Sequence, residues 1–188
     1  MKKTLLLLTL SLVLAARAGA TPITYTATLS GLNENPATPS AGTGFATVVF
    51  DLAAHSLFVD VTFSGLTGTT TASHIHCCAV PPNNAGVATI TPTFTGFPLG
   101  VTSGTYSHTY DTSLASAWNP SFVTANGSIA GAEAALAAGL ADGQAYLNIH
   151  TNAFPGGEIR GVLATPEPAT LSLLGLGLGA ALRRRRAR

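Results

Sequence analysis

Residues 44–63, GFATVVFDLAAHSLFVDVTF, carry the clearest β-strand pattern in the chain. Strand-forming β-branched and aromatic residues flank a short polar segment, AAHS. In the second arm four apolar side chains share one face: Leu57, Val59, Val61 and Phe63. Asp60 and Thr62 lie on the other face, as strand alternation requires. The pattern predicts a β-hairpin with His55 at or near its turn.

The same strand signals continue on both sides of this hairpin. ITYTATLS, residues 23–30, alternates apolar residues with threonines. Further strands are predicted at residues 73–77, 86–91, 104–110, 144–150 and 158–163. Clusters of glycine, proline and asparagine separate these segments, as expected for turns.

One segment has helical spacing instead. In SIAGAEAALAAGLADG, residues 128–143, alanines and leucines recur at helical intervals, with Ser128 as N-cap and Gly143 as stop. A short helical turn that starts at Pro120 precedes it. Seven or eight strands with a helical insert near residues 128–141 predict an all-β, Greek-key β-sandwich, either immunoglobulin-like or superoxide-dismutase-like.

Composition limits the function. The chain has 188 residues, enough for one domain with a substantial core, and only 9% of them are charged. Residues 21–164 contain one base, Arg160, against seven acids, which gives this region a formal charge of −6. An acidic body lacks the basic surface that nucleic acid binding needs, so we exclude that class.

The N-terminal segment is typical of a secretory signal peptide. Two lysines, an apolar run over residues 5–16 and small residues at 18–20 follow each other in the required order. We therefore expect the export machinery to recognise residues 1–20 and the mature chain to begin at Thr21.

The C-terminal segment, residues 165–188, is a second targeting signal. Pro166, Glu167 and Pro168 precede an apolar stretch over residues 171–182 and a cluster of arginines. This layout resembles the PEP-CTERM sorting signal. The resemblance implies transient anchoring in the inner membrane, cleavage by an exosortase, and delivery to the cell surface or extracellular matrix.

Side chains that can titrate or bind a metal are concentrated in three predicted strands. In SHIHCC, residues 73–78, alternation puts His74 and His76 on one face. In AYLNIHT, residues 145–151, Asn148 and His150 share a polar face, and Glu158 and Arg160 share a side of the next strand. We predict that the two faces meet, with His150 within reach of the histidine pair, because the intervening apolar residues must build one core.

These segments suggest a family. SHIHCC, GVATITPTFTGFP and AYLNIHTNAFPGGEIRGVLA together resemble a CHRD domain over nearly all of residues 24–164. The resemblance implies a β-sandwich domain, residues 21–164, of a kind found in exported and surface proteins without an established enzymatic activity. The chain departs from the common pattern at Cys77 and Cys78, where a glycine-containing turn is usual.

Three interpretations of the histidines are open from the sequence. His74, His76 and His150 bind zinc or copper, for which imidazole is a good ligand. Alternatively, they form a structural hydrogen-bond network with Asn148, Glu158 and Arg160, or they are exposed and have no role. Too few further histidines remain for superoxide dismutase chemistry, since His55 is predicted at a hairpin turn.

The cysteines are also open to several interpretations. Cys77 and Cys78 form a vicinal disulfide, bridge to another chain, or supply thiolates next to His74 and His76. The sequence contains no nucleophile-elbow pattern and no placed pair of acids. It therefore favours an exported, non-catalytic protein that binds a surface or matrix partner or builds structure. The alternative is a surface metalloprotein that binds copper or zinc, with redox activity.

Overall fold

The computed structural model describes residues 21–166, in which seven strands form one antiparallel sheet. The strands are β1 (Ile23–Ser30), β2 (Thr43–Asp51), β3 (Ser56–Ser64), β4 (Thr70–Cys77), β5 (Gly104–Asp111), β6 (Ala145–Thr151) and β7 (Ile159–Val162). Their spatial order is β4-β6-β7-β1-β2-β3-β5. The predicted signal peptide and residues 167–188 of the sorting signal, with Glu167 and Pro168, lie outside the described residues.

The hairpin predicted from residues 44–63 is confirmed. Strands β2 and β3 pair without interruption from Thr43 opposite Ser64 to Asp51 opposite Ser56. His55 lies in the turn with a φ of 51°, a left-handed conformation that is uncommon outside glycine. Its Nδ1 lies 2.9 Å from a carboxylate oxygen of Glu133, which ties the turn to the helical insert.

The sheet curls around one core, as an all-β sandwich-like fold requires. A single hydrophobic cluster contains residues from all seven strands, among them Leu29, Val48, Val59, Ile75 and Leu147. Each of these side chains is fully buried, which stabilises the fold by about 1.5–3 kcal/mol per residue. Ser30 pairs with Arg160 and joins the two halves of the sheet.

The helical insert consists of two helices, α1 (Pro120–Ala125) and α2 (Ile129–Ala141). Both predicted starts are confirmed: Pro120 begins α1, and the Ser128 hydroxyl caps α2 by accepting a hydrogen bond from the Gly131 amide at 3.0 Å. Helix α2 buries one face at helical spacing: Ala132, Leu136, Gly139 and Leu140. Between residues 21 and 166 no helix is long and apolar enough to cross a membrane.

The predicted strand at residues 86–91 is wrong. This segment runs beside β4 but forms only isolated bridges, at Val87 and Thr89. The reason is local: the Thr89 hydroxyl accepts a hydrogen bond from the Ile75 amide at 3.0 Å, so a side chain replaces the main-chain acceptor that a regular ladder would need. The segment nevertheless covers the edge of β4.

Candidate metal centre

Three histidines come together on one face of the sheet. His74 and His76 project from β4, where they are 6% and 7% exposed, and His150 projects from the neighbouring β6. Each residue offers one nitrogen, and these three atoms lie within 4.8 Å of one another. The predicted meeting of the two faces is therefore confirmed, since the pairing of β4 with β6 places the strands side by side.

The hydrogen bonds of the rings fix which nitrogen carries a proton. Each ring contacts one main-chain carbonyl: His74 Nε2 contacts Pro92 O at 2.6 Å, His76 Nδ1 contacts Ala85 O at 2.9 Å and His150 Nδ1 contacts Pro155 O at 2.9 Å. A carbonyl can only accept, so the nitrogen that contacts it is the N–H donor. In a neutral ring the second nitrogen then carries a free lone pair.

These second nitrogens are buried and have no hydrogen-bond partner within residues 21–166: His74 Nδ1, His76 Nε2 and His150 Nε2. Burial lowers the pKa of His74 and of His76 to about 4, against the opposing effect of their hydrogen bonds to carbonyls. Burial lowers the pKa of His150 as well. The rings are therefore neutral at neutral pH, which is the form that binds metals.

A layer of side chains beneath the cluster holds His76 in place. The Tyr146 ring stacks on the His76 ring with 4.9 Å between centroids, and the Tyr146 hydroxyl accepts a hydrogen bond from the Ala85 amide at 3.1 Å. The Arg160 guanidinium lies 4.6 Å from the centre of the Tyr146 ring. It donates to Pro82 O at 2.8 Å and to Asn84 Oδ1 at 2.6 Å.

Arg160 and Tyr146 thus fix the loop of residues 81–86. This loop carries the Ala85 carbonyl that sets the protonated nitrogen of His76. Groups of this kind, which orient a ligand without touching the metal, are a regular part of metal sites.

One of the three interpretations left open by the sequence, a hydrogen-bond network of the histidines with Asn148, Glu158 and Arg160, does not match the contacts of the rings. Asn148 does lie opposite His74 in the sheet and Arg160 opposite Asn148, but each histidine bonds to main chain. Glu158 instead accepts from four donors on other segments: Ser40 Oγ, Thr67 N, Gly68 N and Thr151 Oγ1. Burial alone would raise the pKa of Glu158, but these donors lower it below its usual value.

Sequence reasoning missed Glu34, an acid that is 8% exposed. Its Oε2 lies 3.8 Å from Arg160 Nε, while its Oε1 has no hydrogen-bond partner in the described part of the chain. Burial raises the pKa of Glu34 to about 7, and the charge of Arg160 opposes this shift. The sequence does contain one signal for such a group, because Arg160 is the only base in residues 21–164. A base that is buried in the fold needs an acid nearby.

The cysteines lie on the opposite side of β4 from the histidines. Cys77 and Cys78 are bonded to each other, and Cys77 belongs to the hydrophobic core. Cys78 Sγ lies 3.5 Å from the Ala135 carbonyl of α2. In this arrangement the sulfurs pack against α2 and do not join the histidine cluster.

These observations define an antiparallel β domain with a buried cluster of three neutral histidines. The family model described as CHRD domain matches residues 25–163, and the chain belongs to this family. A second model, the PEP-CTERM protein-sorting motif, matches residues 164–186. This motif implies processing by an exosortase and membrane-associated sorting of an exported protein to the cell surface. Searches of curated proteins and of solved structures gave no significant match.

Proposed function

We propose that this exported surface protein is a metalloprotein that binds copper or zinc through His74, His76 and His150. One observation carries the proposal. Each ring has one buried nitrogen without a hydrogen-bond partner in residues 21–166, while its other nitrogen donates to a carbonyl. Three ring nitrogens, one from each histidine, lie within 4.8 Å of one another. Buried polar atoms are normally paired, so three such atoms on one face support a bound metal ion as their partner.

The chemistry of the donors selects the metal class. Imidazole nitrogens suit zinc and copper, whereas magnesium and calcium prefer oxygen ligands. Bonds of about 2.0–2.1 Å place tetrahedral or trigonal nitrogens about 3.3–3.6 Å apart. The three nitrogens lie within 4.8 Å of one another, so the rings need to close by about 1 Å around an ion. The carbonyl contacts keep the rings aimed inward during that closure.

The proposed route of the protein follows from its sorting motif. The chain passes through an inner-membrane intermediate and is then released by an exosortase to the surface or extracellular matrix. The released protein should lack the arginines at residues 183–186. Mass spectrometry of that form checks this expectation, and an intact C-terminus would contradict it.

Calorimetric titration with zinc and with copper tests the metal site. The exported protein, purified without a histidine tag, should bind one ion per chain. The His74→Ala, His76→Ala double variant should lose saturable binding, because one imidazole cannot hold the ion alone. His150→Ala should weaken binding strongly, whereas the matched variant His108→Ala should not, because His108 lies on the opposite edge strand β5 and outside the histidine cluster. Absence of saturable binding to the wild type, or equal binding by the double variant, would refute the proposal.

A further inference from the structure

Two more buried polar atoms lack a hydrogen-bond partner among the described residues: Asn148 Oδ1 and Glu34 Oε1. Asn148 is 2% exposed and pairs directly with His74 across β4 and β6. It also precedes His150 by two residues in β6, so the amide and both imidazoles lie on the same face of the sheet. The carboxamide therefore borders the cluster on the side of β7.

Glu34 reaches the same place from another segment. A Cβ added at Gly157 would lie 2.6 Å from Asn148 Oδ1 and 2.8 Å from Glu34 Oε1, so both oxygens border one spot. They are acceptors without a donor in residues 21–166. A cavity of about 400 Å³ adjoins this spot and is lined in part by Glu34, Pro155 and Gly157. The Pro155 carbonyl is also the acceptor for His150 Nδ1.

We infer, on the basis of the proposed metal site, that the fourth position on the metal holds an exchangeable water whose O–H groups donate to Asn148 Oδ1 and Glu34 Oε1. Three histidine ligands leave a tetrahedral ion one position for water or another small ligand. A metal-bound water has two O–H donors directed away from the ion, which matches two buried acceptors that have none. Among the described residues the ligand cluster contains no fourth side chain, and Glu158 is already saturated by its own donors. The fourth position should therefore accept small molecules that bind through oxygen or nitrogen. Azide is a convenient probe of this kind.

The inference is tested on the copper(II)-loaded exported protein, with copper content measured in each sample. Pulsed electron paramagnetic resonance should detect strongly coupled protons of the copper-bound water that disappear after exchange into deuterium oxide, in addition to the weakly coupled N–H protons of the ligand rings. Azide should replace the water, which leaves as a neutral molecule, and should change the copper spectrum with saturation.

Variants of Glu34 examine the hydrogen bond itself. Glu34→Leu removes the acceptor, so water is held less firmly and azide should bind about three- to tenfold more tightly. Glu34→Gln keeps an acceptor oxygen and should lie closer to the wild type. Asp142→Asn removes one exposed negative charge at the end of α2 and should change azide affinity by less than about twofold.

The outcomes separate the two proposals. If the wild type binds no copper, the metal site and this inference both fall. If copper binds at one per chain without strongly coupled exchangeable protons and without a response to azide, the open position is refuted and the metal site stands. If the Leu and Gln variants of Glu34 bind azide like the wild type, Glu34 does not hold the water.

Discussion

Replacement of Arg160 by methionine should destabilise the metal-free protein by about 3–5 kcal/mol. The guanidinium is buried and donates to Asn33 O, Asn84 Oδ1 and Pro82 O. Hydrogen bonds from a charged donor contribute about 1.5–3 kcal/mol each, and relief of the buried charge offsets part of that sum. The variant also leaves the buried Glu34 without its cation.

Thermal unfolding followed by circular dichroism measures this loss. For a domain of this size, a change of 1 kcal/mol shifts Tm by about 2–4 °C, so Arg160→Met should unfold about 6–20 °C below the wild type. Val162→Thr, at an exposed position of the same strand, is the control and should shift Tm by only a few degrees. A decrease below about 1 kcal/mol for Arg160→Met would refute the view that this side chain fixes the loop beneath His76.

Three further predictions follow from the packing and the titrating groups. A Cβ at Gly139 would overlap Cys77 Sγ and lie 2.7 Å from Cys78 Sγ. Gly139→Ala should therefore lower the free energy of unfolding in urea by about 1–3 kcal/mol, although alanine favours helix. A gain in stability would contradict this packing. The intact protein should gain about 2 Da on reduction and be monomeric without reductant, whereas a disulfide-linked dimer would indicate cross-linking between chains. Because the pKa values of His74 and His76 are about 4 when folded and about 6.5 when unfolded, the unfolded chain binds more protons between these values. Stability of the metal-free protein should therefore fall as the pH drops from about 6.5 to 4. The pKa of His150 is lowered as well and adds to this effect. The raised pKa of Glu34 acts in the opposite direction, but it is one group against three histidines. A urea midpoint that rises over this interval as the pH falls would count against the assignment.

The sequence predicts the part of the site that depends on strand alternation. His74 and His76 share a face because they are two residues apart, and His150 approaches them because apolar neighbours on both strands point into one core. The turn at His55 and the capping of α2 by Ser128 are also local features that neighbouring residues determine.

The sequence does not predict the features that depend on loops. The protonated nitrogen of each histidine is set by carbonyls of Pro92, Ala85 and Pro155, whose positions follow from long connections rather than from a repeating pattern. Glu34 meets Arg160 although the two residues are far apart in the chain. Residues 86–91 resemble a strand in composition, but the side chain of Thr89 interrupts the pairing.

The metal content of the exported protein shows whether the three histidines form a metal site. The protein is purified without a histidine tag and analysed after exposure to equal amounts of copper and zinc. The three converging nitrogens predict about one ion of copper or zinc per chain. They also predict that the His74→Ala, His76→Ala variant, treated in parallel, retains almost none. A wild-type protein without bound metal, or a double variant with the same content as the wild type, would contradict the account.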